Sequence, residues 1–286
     1  MSSEWLFEFD EPESGVRVKV LEPPGSSPQG LCQRILNGTY GRPFIIETSD
    51  RRYLHFDLES IQSAMDLDDP QRLAVPYTRK IMSFLLFDDS PGRILLLGLG
   101  GGSIAKFCYW RLPGTAITTV EMNSDVIALR EQFCIPKGNE RFRIVQGNGL
   151  TYVADGGPEK DVIVADACDA RGIAPELDTL DFYHGVYRRL RDGGVFVLNL
   201  CGERVRWRSH LHKLSAVFGR PYLWIPVPFD ENVIVFAFRA HLLRLHWKTL
   251  ESRAWDLAAR FGLDFPAYVQ RLAQPWIRGW QPPPTS

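Results

Sequence analysis

Between Ile94 and Leu200 the chain alternates short, largely apolar runs with helical patterns. Ile94–Leu97, Ala116–Glu121, Phe142–Gln146, Asp161–Asp166 and Val195–Leu200 read as strands. Ser103–Trp110, Ser124–Phe133 and Asp181–Arg191 read as helices between them. Strands that are near-continuously apolar, as Ile94–Leu97 and Asp161–Asp166 are between their ends, must be covered on both faces, so the pattern implies a parallel sheet sandwiched by helices. The end departs from that rhythm. Tyr222–Val227 and Val233–Phe238 are two strands joined by a short turn. Parallel neighbours need a long crossover, so these two form an antiparallel hairpin. The expected fold is α/β, with a seven-stranded Rossmann-like sheet finishing in that hairpin.

Ahead of the sheet, Glu4–Phe9, Val16–Leu21, Phe44–Thr48 and Tyr53–Leu58 are β-rich, and Glu22–Gly30 is a breaker segment. Pro70–Asp88 reads as helical, with Leu73, Tyr77, Ile81 and Leu85 on one face. The expected organisation is a small β region over 1–60, a nucleotide-binding catalytic domain over 61–240 and a helical extension over 241–286.

Composition bounds the function class. A chain of 286 residues with net charge −1 is not a general nucleic-acid binder. No apolar run reaches the roughly 18–20 residues of a membrane span. Met1–Asp10 carries three acids and no basic segment, so no signal peptide is expected. Cys32, Cys108, Cys134, Cys168 and Cys201 are dispersed, which reads as free thiols in a reducing cytoplasm rather than a disulfide frame or zinc site. Arg204–Lys213 is basic with aromatic interleaving; a solvated helix face is the plainer reading than RNA contact. His210 and His212 are two apart and make no metal pair on a helix.

The candidate site begins at Gly98, Gly100, Gly101, Gly102 and Ser103, directly after the first sheet strand. Glycines allow a sharp turn and close ligand approach, and the helix that follows offers free N–H groups to a carboxylate or phosphate. Glu121 ends the next strand, where a carboxylate accepts both hydroxyls of a ribose. Asn148 follows the third strand and can bond an adenine edge; its plainer role is a turn asparagine. Asp166 and Asp169 end the fourth strand, at the crevice where such sheets bind ligands. Two carboxylates at that spacing suit a cationic amine, which must lose a proton before it can attack.

In order along the chain, the run Ile94–Ser103, Val120-Glu121, Gly147-Asn148-Gly149, Val164–Asp169, Asp192–Val197 and Asn232–Phe238 resembles the spermidine synthase-like proteins. The resemblance covers roughly residues 52–239. It implies the class I S-adenosylmethionine (SAM) transferase fold, in which the terminal hairpin is usual. It implies a transferase moving an aminopropyl group from decarboxylated SAM to an amine, in the cytoplasm, as a homodimer, without a metal. By the resemblance Glu121 holds the ribose, Asn148 the adenine, Asp166 is the base, and Asp169 helps bind the amine. Gln62 and Tyr77 fall near positions lining the nucleotide and amine pockets.

Three departures bear on substrate. The family carries an aspartate after three glycines, where this chain is read as having Ser103; that aspartate meets the aminopropyl ammonium and repels the carboxylate of ordinary SAM. The family's Tyr-His-Glu run is Tyr77-Thr78-Arg79 here, and its Trp-containing hairpin stretch is Pro228–Asn232. The alternatives are therefore a SAM-dependent methyl or other alkyl transfer to an unknown small molecule, and a non-catalytic nucleotide-binding protein on the same fold. An NAD-dependent dehydrogenase fits the terminal hairpin poorly.

Overall fold

The fold was described from a computed structural model. It describes residues 6–11, 15–169, 172–202, 204–219, 222–228, 232–239 and 246–277, without the side chains of Asp169 and of 273–277.

The N-terminal segment forms a five-stranded antiparallel meander: β1 (Phe7–Asp10), β2 (Arg17–Val20), β3 (Phe44–Glu47), β4 (Arg51–His55) and β5 (Ile61–Asp66). The sheet thus runs to Asp66, past the boundary expected at residue 60. Between β2 and β3 lies α1 (Pro28–Leu36), which the breaker reading of Glu22–Gly30 did not anticipate. Ser27 caps it by accepting the N–H of Gly30, and Pro28 occupies the first turn, where its missing N–H costs nothing. Leu31 and Ile35 on its buried face pack with Val18, Val20 and Phe44 in a small satellite core.

After α2 (Pro76–Ile81) and a 3-10 turn over Met82–Leu86, the second sheet begins. Its elements are β6 (Arg93–Leu97), α3 (Ser103–Arg111), β7 (Ala116–Glu121), α4 (Ser124–Ala128), β8 (Phe142–Gln146), α5 (Gly149–Ala154) and β9 (Lys160–Ala165). A short β10 (Cys168–Asp169) and β11 (Gly172–Ile173) form a two-stranded flap. Then come α6 (Leu180–Arg189), β12 (Leu190–Leu200), α7 (Arg204–Phe218), β13 (Leu223–Pro226) and β14 (Val233–Phe238). Two helices, α8 (Trp247–Phe261) and α9 (Phe265–Ile277), close the described chain.

The strand order is β8-β7-β6-β9-β12-β14-β13. All neighbours are parallel up to β12, while β14 runs antiparallel to both β12 and β13. Each central strand is buried on both faces, and alternate residues separate into two cores. Ile94, Leu96, Val162 and Val164 face one core, and Leu95, Leu97, Ile163 and Ala165 face the other. This is why the strands read as unbroken apolar runs. The chain order reverses between β6 and β9. Their carboxyl ends therefore part to leave a crevice, the usual ligand position in an open α/β sheet.

The cysteine expectation is corrected here. Cys168 and Cys201 form a disulfide across 33 residues, with Cα atoms 6.6 Å apart. They stand just beyond the carboxyl ends of β9 and β12, which are adjacent parallel strands. Sheet pairing brings together what linear spacing keeps apart. Cys32, Cys108 and Cys134 are free. Helix α6 is capped by Thr179, which accepts the N–H of Phe182, and Asp181 sits in its first turn.

Candidate active site

A cavity of about 800 Å³ opens at the β6/β9 crevice. Its walls come from both sheets. The glycine turn, Glu121, Asp166 and the flap belong to the second sheet, and Leu54, Phe56, Asp57, Gln62 and Ser63 belong to the first. The two sheets are tied by charge-assisted bonds. Arg42 grips Asp125 at 2.7 and 2.8 Å, Lys19 reaches Gln132 Oε1, and Arg52 donates to the Gln132 carbonyl.

The glycine turn is set by close backbone approach. At Gly98 (φ +103°) a Cβ would lie 2.2 Å from the carbonyl oxygen of Asp166, so no side chain fits. The Asp166 N–H in turn donates to the Leu97 carbonyl at 2.9 Å. At Gly101 a Cβ would meet Ser63 Oγ at 2.7 Å and Phe133 at 2.9 Å. Gly98, Gly100 and Ser103 line the cavity. Gly102, in the left-handed region, caps α3. Ser103 is buried in the first turn of α3, and its hydroxyl donates to the Ala64 carbonyl at 3.4 Å.

Glu121 lines the cavity at the end of β7. One carboxylate oxygen accepts the Leu99 N–H at 2.9 Å and the other the Asn123 N–H at 2.8 Å. It thereby holds the glycine turn while keeping lone pairs on both oxygens for a ribose. Asn148 acts as the N-cap of α5, accepting from Leu150 and Thr151. That occupies its oxygen and leaves its amide group, 3.8 Å from Met122 Sδ. Gly147 and Gly149 on either side of it line the cavity. Gln62 lines the wall opposite and donates to Ser60 Oγ at 3.1 Å.

Asp166 sits at the bottom. Tyr77 Oη donates to its Oδ2 at 3.2 Å and Asn199 Nδ2 to its Oδ1 at 2.8 Å. Asn199 is itself oriented by Asn232, whose Nδ2 donates to Asn199 Oδ1 at 3.0 Å. Burial pushes the Asp166 carboxyl above its ordinary range, and the two donors partly oppose that shift. The backbone of Asp169 pairs with Gly172 in the flap; its side chain lies outside the described part.

Sequence reasoning missed Asn199, Asn232, Asp57 and Glu176. Asn199 had a signal, being the one amide within the apolar run Val195–Leu200. Asp57 lies in a turn and Glu176 in a short 3-10 helix over Pro175–Leu177, and only the tertiary fold brings them to the cavity. Arg79 does not contribute to the lining. Its guanidinium turns back to the Leu73 and Ala74 carbonyls at 2.7 and 3.0 Å. Thr78 beside it does line the cavity. Of the altered hairpin stretch, residues 229–231 lie outside the described part. Among the described residues no group of three or more His, Cys, Asp or Glu is placed to hold a metal ion. No described helix is long and apolar enough to cross a membrane.

Comparison with known proteins agrees with this architecture. A polyamine aminopropyltransferase of Chromobacterium violaceum is 40% identical over 231 residues, covering 80% of this chain and 88% of the relative. One from Neisseria meningitidis is 34% identical, covering 77% and 85%. A probable spermidine synthase from Corynebacterium glutamicum superposes with a TM-score of 0.63 at 20% identity, over 81% of this chain and 91% of that one. Human methyltransferase-like protein 13, solved in complex with SAH, gives 0.60 at 24% identity, over 66% and 93%. These two structures share the fold. Residues 74–240 match the family model of the spermine/spermidine synthase domain. The chain belongs to the spermine/spermidine synthase family.

Proposed function

We propose that this protein is an aminopropyltransferase that takes decarboxylated SAM as donor and a small amine as acceptor, within polyamine metabolism. One observation carries the choice of donor. Among the described residues lining the cavity, every formally charged side chain is a carboxylate: Asp57, Glu121, Asp166 and Glu176, with no Lys, Arg or His. Such a lining attracts a sulfonium that carries an ammonium, and a protonated amine beside it. Ordinary SAM would add a carboxylate with no cation to meet it, which is costly in a low-dielectric cleft.

The volume lies within the range of ligand cavities, with room for a nucleoside and an amine side by side. In the reaction the amine nitrogen attacks the methylene carbon bonded to sulfur. The C–N bond forms, the C–S bond breaks, and methylthioadenosine leaves. Asp166 is assigned the proton lost by the amine. Its raised proton affinity makes it a stronger base than an ordinary carboxylate, and Tyr77 and Asn199 fix its orientation. Glu121 is assigned to the ribose, the free amide of Asn148 and Gln62 to the nucleoside, and Tyr77 with Asp169 to the amine. A homodimer in the cytoplasm belongs to the same reading.

Ser103 supports a second donor, since a neutral residue there does not repel the carboxylate of SAM. The two readings separate in one assay. Purified protein is incubated with putrescine and either donor, and nucleoside and amine products are separated. Methylthioadenosine and an aminopropylated amine are expected from decarboxylated SAM alone. Methylated amine and S-adenosylhomocysteine from SAM, with no turnover of the decarboxylated donor, would refute the proposal. Ser103→Asp is expected to strengthen decarboxylated SAM and weaken SAM.

A further inference from the structure

We propose that the Cys168–Cys201 pair is a redox modification site that sets the order of the active-site rim. The disulfide joins the carboxyl ends of β9 and β12. Those strand ends carry Asp166 and Asn199, two residues before each cysteine and bonded to each other at 2.8 Å. Cys168 lines the cavity itself, and Ala167, Ala174, Pro175, Glu176 and Leu177 continue the same wall. Two backbone contacts back the crosslink. The flap strands β10 and β11 pair with each other, and Gly172 bridges to Gly202 beyond β12. Gly172 packs tightly there, since a Cβ on it would lie 3.1 Å from the Cys201 carbonyl oxygen. The covalent bond thus spans the same seam as the hydrogen bond that orients the assigned base. The proposal rests on the transferase reading only for the role of Asp166.

The two sulfurs differ in access. Cys168 is half-buried on the cavity wall, whereas Cys201 is buried. A dithiol reductant entering the cavity attacks at Cys168, and Cys201 leaves as thiolate and takes a proton. The second thiol of the reductant then displaces Cys168. The S–S bond is broken, two cysteine thiols form, and the reductant departs as its own disulfide. Disulfides of chains in a reducing compartment are mostly of this reversible kind. A bound substrate covers Cys168, so the nucleoside protects the crosslink from reduction. Reduction removes the covalent tie between the wall and β12 and leaves the seam to non-covalent contacts, the Asp166–Asn199 bond and the Gly172–Gly202 bridge among them.

Denaturing alkylation tests the chemistry first. The air-oxidised chain is expected to show three free thiols, and the chain reduced by dithiothreitol five, with a Cys168–Cys201 linked peptide in the former only. Amide hydrogen exchange over 166–177 is expected to speed up at least fivefold on reduction. The affinity for methylthioadenosine and kcat/KM are each expected to fall at least fivefold, with the same midpoint across a glutathione series as the loss of the linked peptide. Cys201→Ser, and separately Cys168→Ser, are expected to reproduce the reduced behaviour with no redox response. Absence of the linked peptide after oxidation overturns the proposal. So do equal exchange and affinity in the two states. If no amine is aminopropylated in either state, the transferase reading fails, and exchange over 166–177 still decides the switch.

Discussion

Replacing Asp166 by Asn separates the catalytic demand on this residue from its structural cost. Asp166 lies deep in the crevice, and only Tyr77 and Asn199 donate to its carboxylate among the described side chains. Burying a carboxylate costs several kcal/mol. Two hydrogen bonds to a charged group return about 1.5–3 kcal/mol each. The desolvation penalty outweighs those two bonds, in agreement with the raised proton affinity, so the ionised form is held at a net cost to the fold. The sign follows from linkage. A carboxyl whose folded pKa lies above its unfolded value of about 3.9 supports the fold fully below that pH. That support is lost as pH rises through the folded value. Asp166→Asn, which is neutral at every pH and nearly isosteric, should then be more stable than the parent at pH 8. Each kcal/mol of that cost is worth roughly 2–4 °C, so the ligand-free melting temperature should rise by at least about 2 °C, and the gap should close by pH 4. Aminopropyl transfer should fall by about 10²–10⁴, the usual contribution of a positioned base. Scanning fluorimetry from pH 4 to 8, with methylthioadenosine release as the rate assay, gives both numbers. A variant that is less stable at pH 8, or a gap independent of pH, refutes the account of a buried, poorly compensated carboxylate.

Asn199→Ala removes one of the two donors to Asp166 and leaves Asn232 without its acceptor. The acid limb of kcat/KM should move to higher pH, with a rate at pH 6 about tenfold lower and recovery near pH 9; a uniform loss at all pH values would mean a purely structural role. Glu121→Gln should raise the KM of the nucleotide about ten- to a hundredfold while leaving that of the amine unchanged, since its carboxylate bonds the Leu99 and Asn123 N–H groups and no residue assigned to the amine. Burial lowers the Lys106 amine to a pKa of about 8, so folding expels its proton between about pH 8 and the unfolded value near 10.5. Stability should climb over that window by up to about 3 kcal/mol. Lys106→Met should flatten the climb in denaturant titrations, although the Phe133 carbonyl then loses its donor.

Much of the second sheet was legible because its grammar is local. β7 and β8 fall on Ala116–Glu121 and Phe142–Gln146 as read from the sequence, where short β-rich runs alternate with helical patterns at the spacing of a βαβ unit. The terminal hairpin was legible for a topological reason, the shortness of its turn. Weaker periodicity gave weaker results. The helix expected over Pro70–Asp88 is α helical only over Pro76–Ile81 before tightening into a 3-10 turn. Strand β5 was not foreseen at all, because Ile61–Asp66 is exposed at one end, buried at the other, and polar at alternate positions of no clear phase. The site divides in the same way. Residues fixed by strand ends, such as Glu121 and Asp166, could be read as neighbours of the crevice, and both line the cavity. Residues delivered by partner strands or loops, such as Asn199, Asn232, Asp57 and the Cys168–Cys201 pair, depend on which strands lie side by side, and sequence spacing carries no record of that.

The cavity wall is shared between two sheets that also share an apolar core, in which Ile45, Leu54 and Met65 of the first pack with Ile94 and Leu96 of the second, beside a few ionic and polar ties. A ligand filling that space touches both, so its binding energy also acts as adhesion between them. At a hundred times its dissociation constant, such a ligand adds about 2.7 kcal/mol to the assembled form and nothing to a form whose sheets have parted. The nucleotide is thereby a third structural layer while it is bound. Leaving the site as product, it removes that layer, and the protein is at its loosest in the interval between one turnover and the next.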